Sequence, residues 1–382
     1  MNTNISLENL NQFEQGFDTN PTNALAMNAV VSNGINAVAT NYQTERRVTH
    51  EFSLSLKQGK VTNQKKSGRC WMFAALNCLR FQLMHKLNLE NFELSQSYLA
   101  FWDKFERCNY FLESILETAA LPTGDRTVMH ILSTGVHDGG QWDMFANIVR
   151  KYGVVPKDVY DETYQSSNTR QMNAVLNRAL KAAAQKLRDM VASGADDGAI
   201  QAEKNKVLDS MYGFLCSCYG EPPKAFSFEY VDKDKVYHIE ENLTPLTFSE
   251  RYVGDLLEQI VSIINAPTAD KPYHKTYTVR LLGNVAEGRP VVHLNLTMDE
   301  FKSAIIAQLK AGKVVWFGSD VGHFGERTAG IWDDESFNFS LLTGMDLAMD
   351  KANALDYGLA AMNHAMVLTG VNLDASGKPT RW

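Results

Sequence analysis

Gln64-Lys-Lys-Ser-Gly-Arg-Cys70-Trp71-Met-Phe-Ala74 is the stretch on which the fold turns. Its first half, Val61 to Cys70, is polar and contains Gly68, the composition of a loop. From Trp71 to Leu87 apolar residues fall on nearly every side of a helical wheel, which predicts a helix buried through the middle of the protein. Cys70 stands at the junction. There the first-turn amides and the helix dipole stabilise a thiolate, the form of cysteine that attacks a carbonyl. A lone buried cysteine is more often a small apolar filler, so the reading needs partners. Gln64, six residues earlier on the same loop, offers an amide that can donate to an oxyanion beside the sulfur. His364, in Met362-Asn363-His364, opens the apolar run Ala365-Met366-Val367-Leu368. The end of a core strand is a rigid anchor for a general base.

Outward from Cys70 the chain is helix-rich. Ser95 is the predicted N-cap of a helix over Gln96–Cys108, and Asp125–Ser133 and Trp142–Lys151 are further helices. The last is stopped by Gly153 and Pro156. Thr169–Leu208 is rich in Ala, Lys, Arg, Asp and Gln, with Leu176, Leu180, Leu187 and Val191 at helical spacing and a break at Ser193-Gly194. Its Lys181, Lys186, Arg188, Lys204 and Lys206 are offset by Asp189, Asp196, Asp197 and Glu203, the pattern of a solvated helical face. Beyond Phe226 strands take over: Phe226–Val231, Thr276–Leu281, Val291–Leu296, Lys313–Gly318 and Ala365–Val371, with a helix over Glu300–Leu309 ended near Gly312. The order predicts an α+β chain. Residues 1–60 are expected to form an N-terminal arm and the start of the body, 61–160 a helix-rich domain with the nucleophile, 161–285 an insertion, and 286–382 a β-rich domain with the histidine.

The 382 residues carry 44 acidic and 37 basic side chains, a net charge of -7. Such a chain gains little from counterion release, which argues against a nucleic-acid partner. Five cysteines at irregular spacing give neither a disulfide framework nor a zinc site, and Cys216-Ser-Cys218 without a nearby His is a poor ligand set. No metal or other cofactor is expected. Met1–Gly16 lacks the basic and apolar regions of a signal peptide, and no apolar stretch approaches the ~20 residues that span a bilayer. The expected location is cytoplasmic.

The Gln64–Ala74 stretch resembles the active-site signature of papain-like cysteine peptidases. Ser67 stands where the general pattern has a cysteine, so the disulfide of that pattern is absent. With Gly68-Arg69-Cys70-Trp71, this departure is similar to the bleomycin hydrolase and bacterial aminopeptidase C branch. The likeness continues through His137-Asp-Gly-Gly-Gln-Trp-Asp-Met-Phe145, Tyr219-Gly-Glu-Pro-Pro223, Trp316-Phe-Gly-Ser-Asp-Val-Gly322 and Asn363-His-Ala-Met-Val-Leu-Thr369. Cys70 to His364 is 364 − 70 = 294 positions, against roughly 130 to 150 in plain papain-like enzymes. The excess requires an insertion, of which the helical stretch around 165–215 is the obvious part.

The resemblance implies Cys70 as nucleophile, His364 as base then acid, and Gln64 as oxyanion-hole donor. Gly139 and Gly140 match the pair that lines substrate backbone, where a missing side chain lets a peptide approach closely, and Asn363 is placed with them as a substrate contact. It further implies peptide substrates, a self-compartmentalising homohexamer, and release of N-terminal residues. The Asn-Ser-Trp block that orients the histidine in such enzymes is absent, and Asn372 is too close to His364 to replace it. The chain therefore reads as C-terminally truncated, and a weakly active or non-catalytic scaffold is the alternative expectation.

Overall fold

Twelve of the seventeen residues of the helix Cys70–Lys86 are buried, the consequence of its all-round apolar surface. The computed structural model describes residues 3–382. The long helix Gln96–Glu117 packs against this central helix. It is capped as its sequence predicts, with Ser95 Oγ accepting from Tyr98 N at 3.0 Å. Helices Arg126–Thr134 and Trp142–Tyr152 complete the front of the chain. Gly153 ends the latter at φ +73°, and a Cβ there would lie 2.1 Å from the Pro245 carbonyl oxygen. Only glycine fits.

Residues 170–219 form a helical hairpin, Arg170–Ala192 and Asp197–Tyr219, broken where Ser193-Gly194 predicts it. Leu176, Leu180 and Leu187 are fully buried against the long helix, while Val191, in the last turn, is exposed. The expected solvated basic face fails at two positions. Lys204 is buried and pairs with Glu113. Arg188 donates to the Thr118 and Leu121 carbonyls, closing the end of the long helix.

The strands form several small sheets. Phe226–Val231 pairs antiparallel with Tyr237–Leu243. Val292–Asn295 lies between Ile263–Ile264, parallel to it, and Thr276–Thr278, antiparallel. The strand predicted to reach Leu281 stops at Thr278, because the chain then turns through Leu281 at φ +59°. Val315–Ser319 pairs with His364–Leu368. Gly370–Leu373 joins Leu54–Ser55, with Val371 opposite Leu54.

The described chain divides into two compact units. The larger is Phe52–Gly318 with His364–Trp382, and it holds the main core. The smaller comprises the chain up to Glu51 with Ser319–Asn363. It contains the helices Leu7–Asp18 and Pro21–Asn33, in which no residue is buried. Among the described residues no helix is long and apolar enough to cross a membrane.

Candidate active site

Cys70 is the first residue of the central helix and is half-buried, its Sγ 4.0 Å from the Gly68 carbonyl oxygen. Arg69 occupies the N-cap but makes no capping bond, so no side chain from the cap quenches the partial positive charge at this helix start. Its guanidinium is fully buried and spent elsewhere. It forms a bidentate pair with Glu162, at 3.1 and 2.7 Å, and donates from Nε to Ser67 Oγ at 3.0 Å. Burial alone would raise the Glu162 carboxyl, but the bonds and charge of Arg69, with Ser166, hold it below the ordinary carboxylate range. Ser67 Oγ donates to the Gln64 carbonyl, and Gln64 Nε2 donates to the Ser67 carbonyl, both at 2.7 Å. Gln64 is thus fixed on the loop by one amide hydrogen, and its second has no partner among the described residues.

Asp138 is the hub of a second network. Its Oδ2 accepts from Gly68 N at 2.8 Å and from Thr169 Oγ1 at 2.5 Å. Oδ1 accepts from Lys104 Nζ at 2.6 Å and Asn173 Nδ2 at 2.8 Å. Its backbone carbonyl takes the Trp71 indole N–H at 2.6 Å. Burial pushes the carboxyl up, yet the Lys104 charge and these donors outweigh it and hold the group well below its usual range. Neither Asp138, Lys104 nor the Arg69–Glu162 pair follows from sequence reasoning. The one available signal is Asp138's position inside the His137–Phe145 block.

The glycine pair divides. Gly139 N donates to His137 Nδ1 at 3.1 Å, and Gly139 O accepts from Arg107 at 2.5 Å. Both of its backbone groups therefore face inward. The main-chain N–H and C=O of Gly140 have no partner among the described residues. A Cβ on Gly140 would lie 2.6 Å from the Trp71 ring. We expect Gly140→Ala to cost about 1–3 kcal/mol through overpacking, read by urea denaturation.

Burial, then the Arg107 and Lys104 cations, push His137 down to about 4. Its unfolded counterpart takes up a proton near pH 6.5. Between those values the unfolded state binds more protons, so stability is full above about 6.5 and is lost as pH falls toward about 4. Thermal midpoints measured from pH 7 to 4.5 should fall in the wild type and fall less steeply in His137→Gln.

His364 opens the strand His364–Leu368 and is half-buried. That strand packs against the helix that Cys70 opens. From its partner strand, Trp316 Nε1 donates to the Trp71 carbonyl at 3.0 Å, tying the sheet to the first turn of the helix. The thiol and the imidazole therefore sit on two directly packed elements of one unit. Asn372 is engaged at the sheet edge, accepting from Ser53 N and donating to Thr380 Oγ1. In the smaller unit, Asn363 donates to Asp320 Oδ1 at 2.7 Å and accepts from Val321 N at 3.0 Å. Cys78 and Cys108 are buried, which pushes their thiols up to about 12.

The sequence pattern of the Peptidase C1-like family matches residues 4–382. The chain is 48% identical over 380 residues to an aminopeptidase C of Streptococcus thermophilus, covering 100% of this chain and 85% of that one. It is 40% identical over 377 residues to human bleomycin hydrolase, covering 96% and 83%. The crystal structure of PepW from Lactobacillus rhamnosis, solved as its selenomethionine derivative, superposes with a TM-score of 0.97 at 50% identity. That match covers 100% of this chain and 85% of that one. Matched over nearly its whole length, the chain belongs to the Peptidase C1-like family and takes the papain-like α+β fold.

Proposed function

We propose that this peptidase is a cytoplasmic thiol aminopeptidase that releases N-terminal residues from short peptides. The observation that carries the reading is a half-buried thiol at the start of a buried helix, on which the His364 strand packs. The Cys70 thiolate attacks the scissile carbonyl, forming a C–S bond and an oxyanion. In this reading the Cys70 amide and the second Gln64 N–H receive that charge. His364, having taken the proton of the Cys70 thiol, gives it to the departing amine as the C–N bond breaks. It then takes a proton from water, whose oxygen attacks the thioester; the C–S bond breaks, the acid leaves and the proton passes to sulfur, restoring the thiol.

Relatives named aminopeptidase C, at 44–48% identity, support cleavage at the amino end. Assembly into a homohexamer belongs to the same proposal. The exposed Leu7, Phe13, Leu25 and Val31 of the first two helices offer apolar surface for it, and light scattering reads the mass. The activity itself is tested on aminoacyl-amides with free and blocked N-termini. Faster turnover of the free form is expected. Preference for the blocked form would overturn the assignment.

A further inference from the structure

We infer that the start of the helical insertion, acting through Asp138, holds the Cys70 loop in its reactive geometry. This rests on the reading of Cys70 as nucleophile. Ser67 stands where the papain pattern has a disulfide-forming cysteine, so no covalent tie of that kind fixes the loop. Polar contacts to the segment 162–173 take its place. Lys66 N donates to the Ser167 carbonyl at 3.0 Å, and Thr169 N donates back to the Lys66 carbonyl at 3.4 Å. Arg69 is clamped by Glu162. Gly68, two residues before the sulfur, gives its N–H to the same Asp138 oxygen that receives the Thr169 hydroxyl.

The geometry leaves little slack. A Cβ on Gly68 would come within 2.8 Å of Asp138 Cβ, so loop and carboxylate are already at closest approach. Asn173 and Thr169, at the first turn of the insertion, bind different oxygens of the carboxylate and fix its plane. The buried Lys104 ammonium keeps it ionised. A carboxylate is required because four donors converge on two acceptor oxygens. An amide has one acceptor oxygen and must turn its own donors toward the rest. Asp138 is thus a positioning residue, acting through the Gly68 N–H and the Trp71 indole.

Asp138→Asn and the milder Thr169→Val are the test, on the full chain. The expected result is that Asp138→Asn lowers kcat roughly 10- to 100-fold, with KM within about two-fold of wild type. The rate at which iodoacetamide alkylates Cys70 should fall in parallel and its pH profile should shift. Thr169→Val should move both readouts in the same direction by less. A purely structural role would lower the unfolding midpoint without changing the alkylation profile of the folded enzyme. Variants that are folded by circular dichroism and keep wild-type kcat and alkylation would overturn the inference. Should Asp138→Asn fail to fold, Thr169→Val decides. Failure of the nucleophile reading is separable, since it shows as hydrolysis persisting in Cys70→Ala.

Discussion

Cys70→Ala is expected to lower peptide hydrolysis by at least about four orders of magnitude, the loss seen when the nucleophile of an acyl-transfer enzyme is removed. The effect should be nearly pure chemistry. Cys70 is half-buried at the first position of its helix, and alanine is the best helix former. Folding stability should therefore change by less than about 1 kcal/mol. No other thiol can stand in within the core. Cys78 and Cys108 are buried with thiols pushed up to about 12, and a protonated thiol is a poor nucleophile. Cys70→Ser should be almost as inactive, because its hydroxyl is not ionised at the helix start. Steady-state rates on an aminoacyl-amide, with circular dichroism as the folding control, check both variants. Activity within ten-fold of wild type in Cys70→Ala would remove the sulfur from the mechanism.

Glu162→Ala is the largest expected stability loss, about 3–5 kcal/mol at pH 7, the cost of stranding one charge of a buried pair. Arg69 has 1% of its side chain exposed. Without Glu162 it keeps only Ser67 Oγ and the face of the Phe73 ring, 5.1 Å away. Glu162 titrates below its ordinary range in the folded protein. Its contribution is therefore complete above the usual carboxylate pKa and is lost as pH falls through the depressed folded value. The gap between wild type and Glu162→Ala should be full at pH 7 and narrow in acid. Urea unfolding at pH 7 and near pH 4 measures it, and a difference below about 1 kcal/mol at pH 7 would mean that Arg69 finds another partner.

What could be read in the sequence was local. Ser95 capping Gln96–Glu117, the break at Ser193-Gly194, the start of the central helix at Cys70 and the strand at His364 each depend on neighbouring residues. What could not be read joins distant positions. Lys104 and Asp138 are 34 residues apart and Arg69 and Glu162 are 93 apart, and no propensity encodes such partners. Lys204 reads as solvent-facing from its helix alone, and only Glu113, 91 residues away, lets it be buried. Gly139 and Gly140 look alike as a dipeptide. They differ because Arg107 and His137 hold only the first. The strand from Thr276 ends early because of Leu281's left-handed backbone, which an apolar residue does not advertise.

The 294 positions between thiol and imidazole also bear on synthesis. The strand that brings the histidine leaves the ribosome only after the helices, the hairpin insertion and the whole of 319–363 have emerged. Contacts so remote in sequence close late. A nascent chain can thus fold its sulfur-bearing helix well before the imidazole of residue 364 is available beside it.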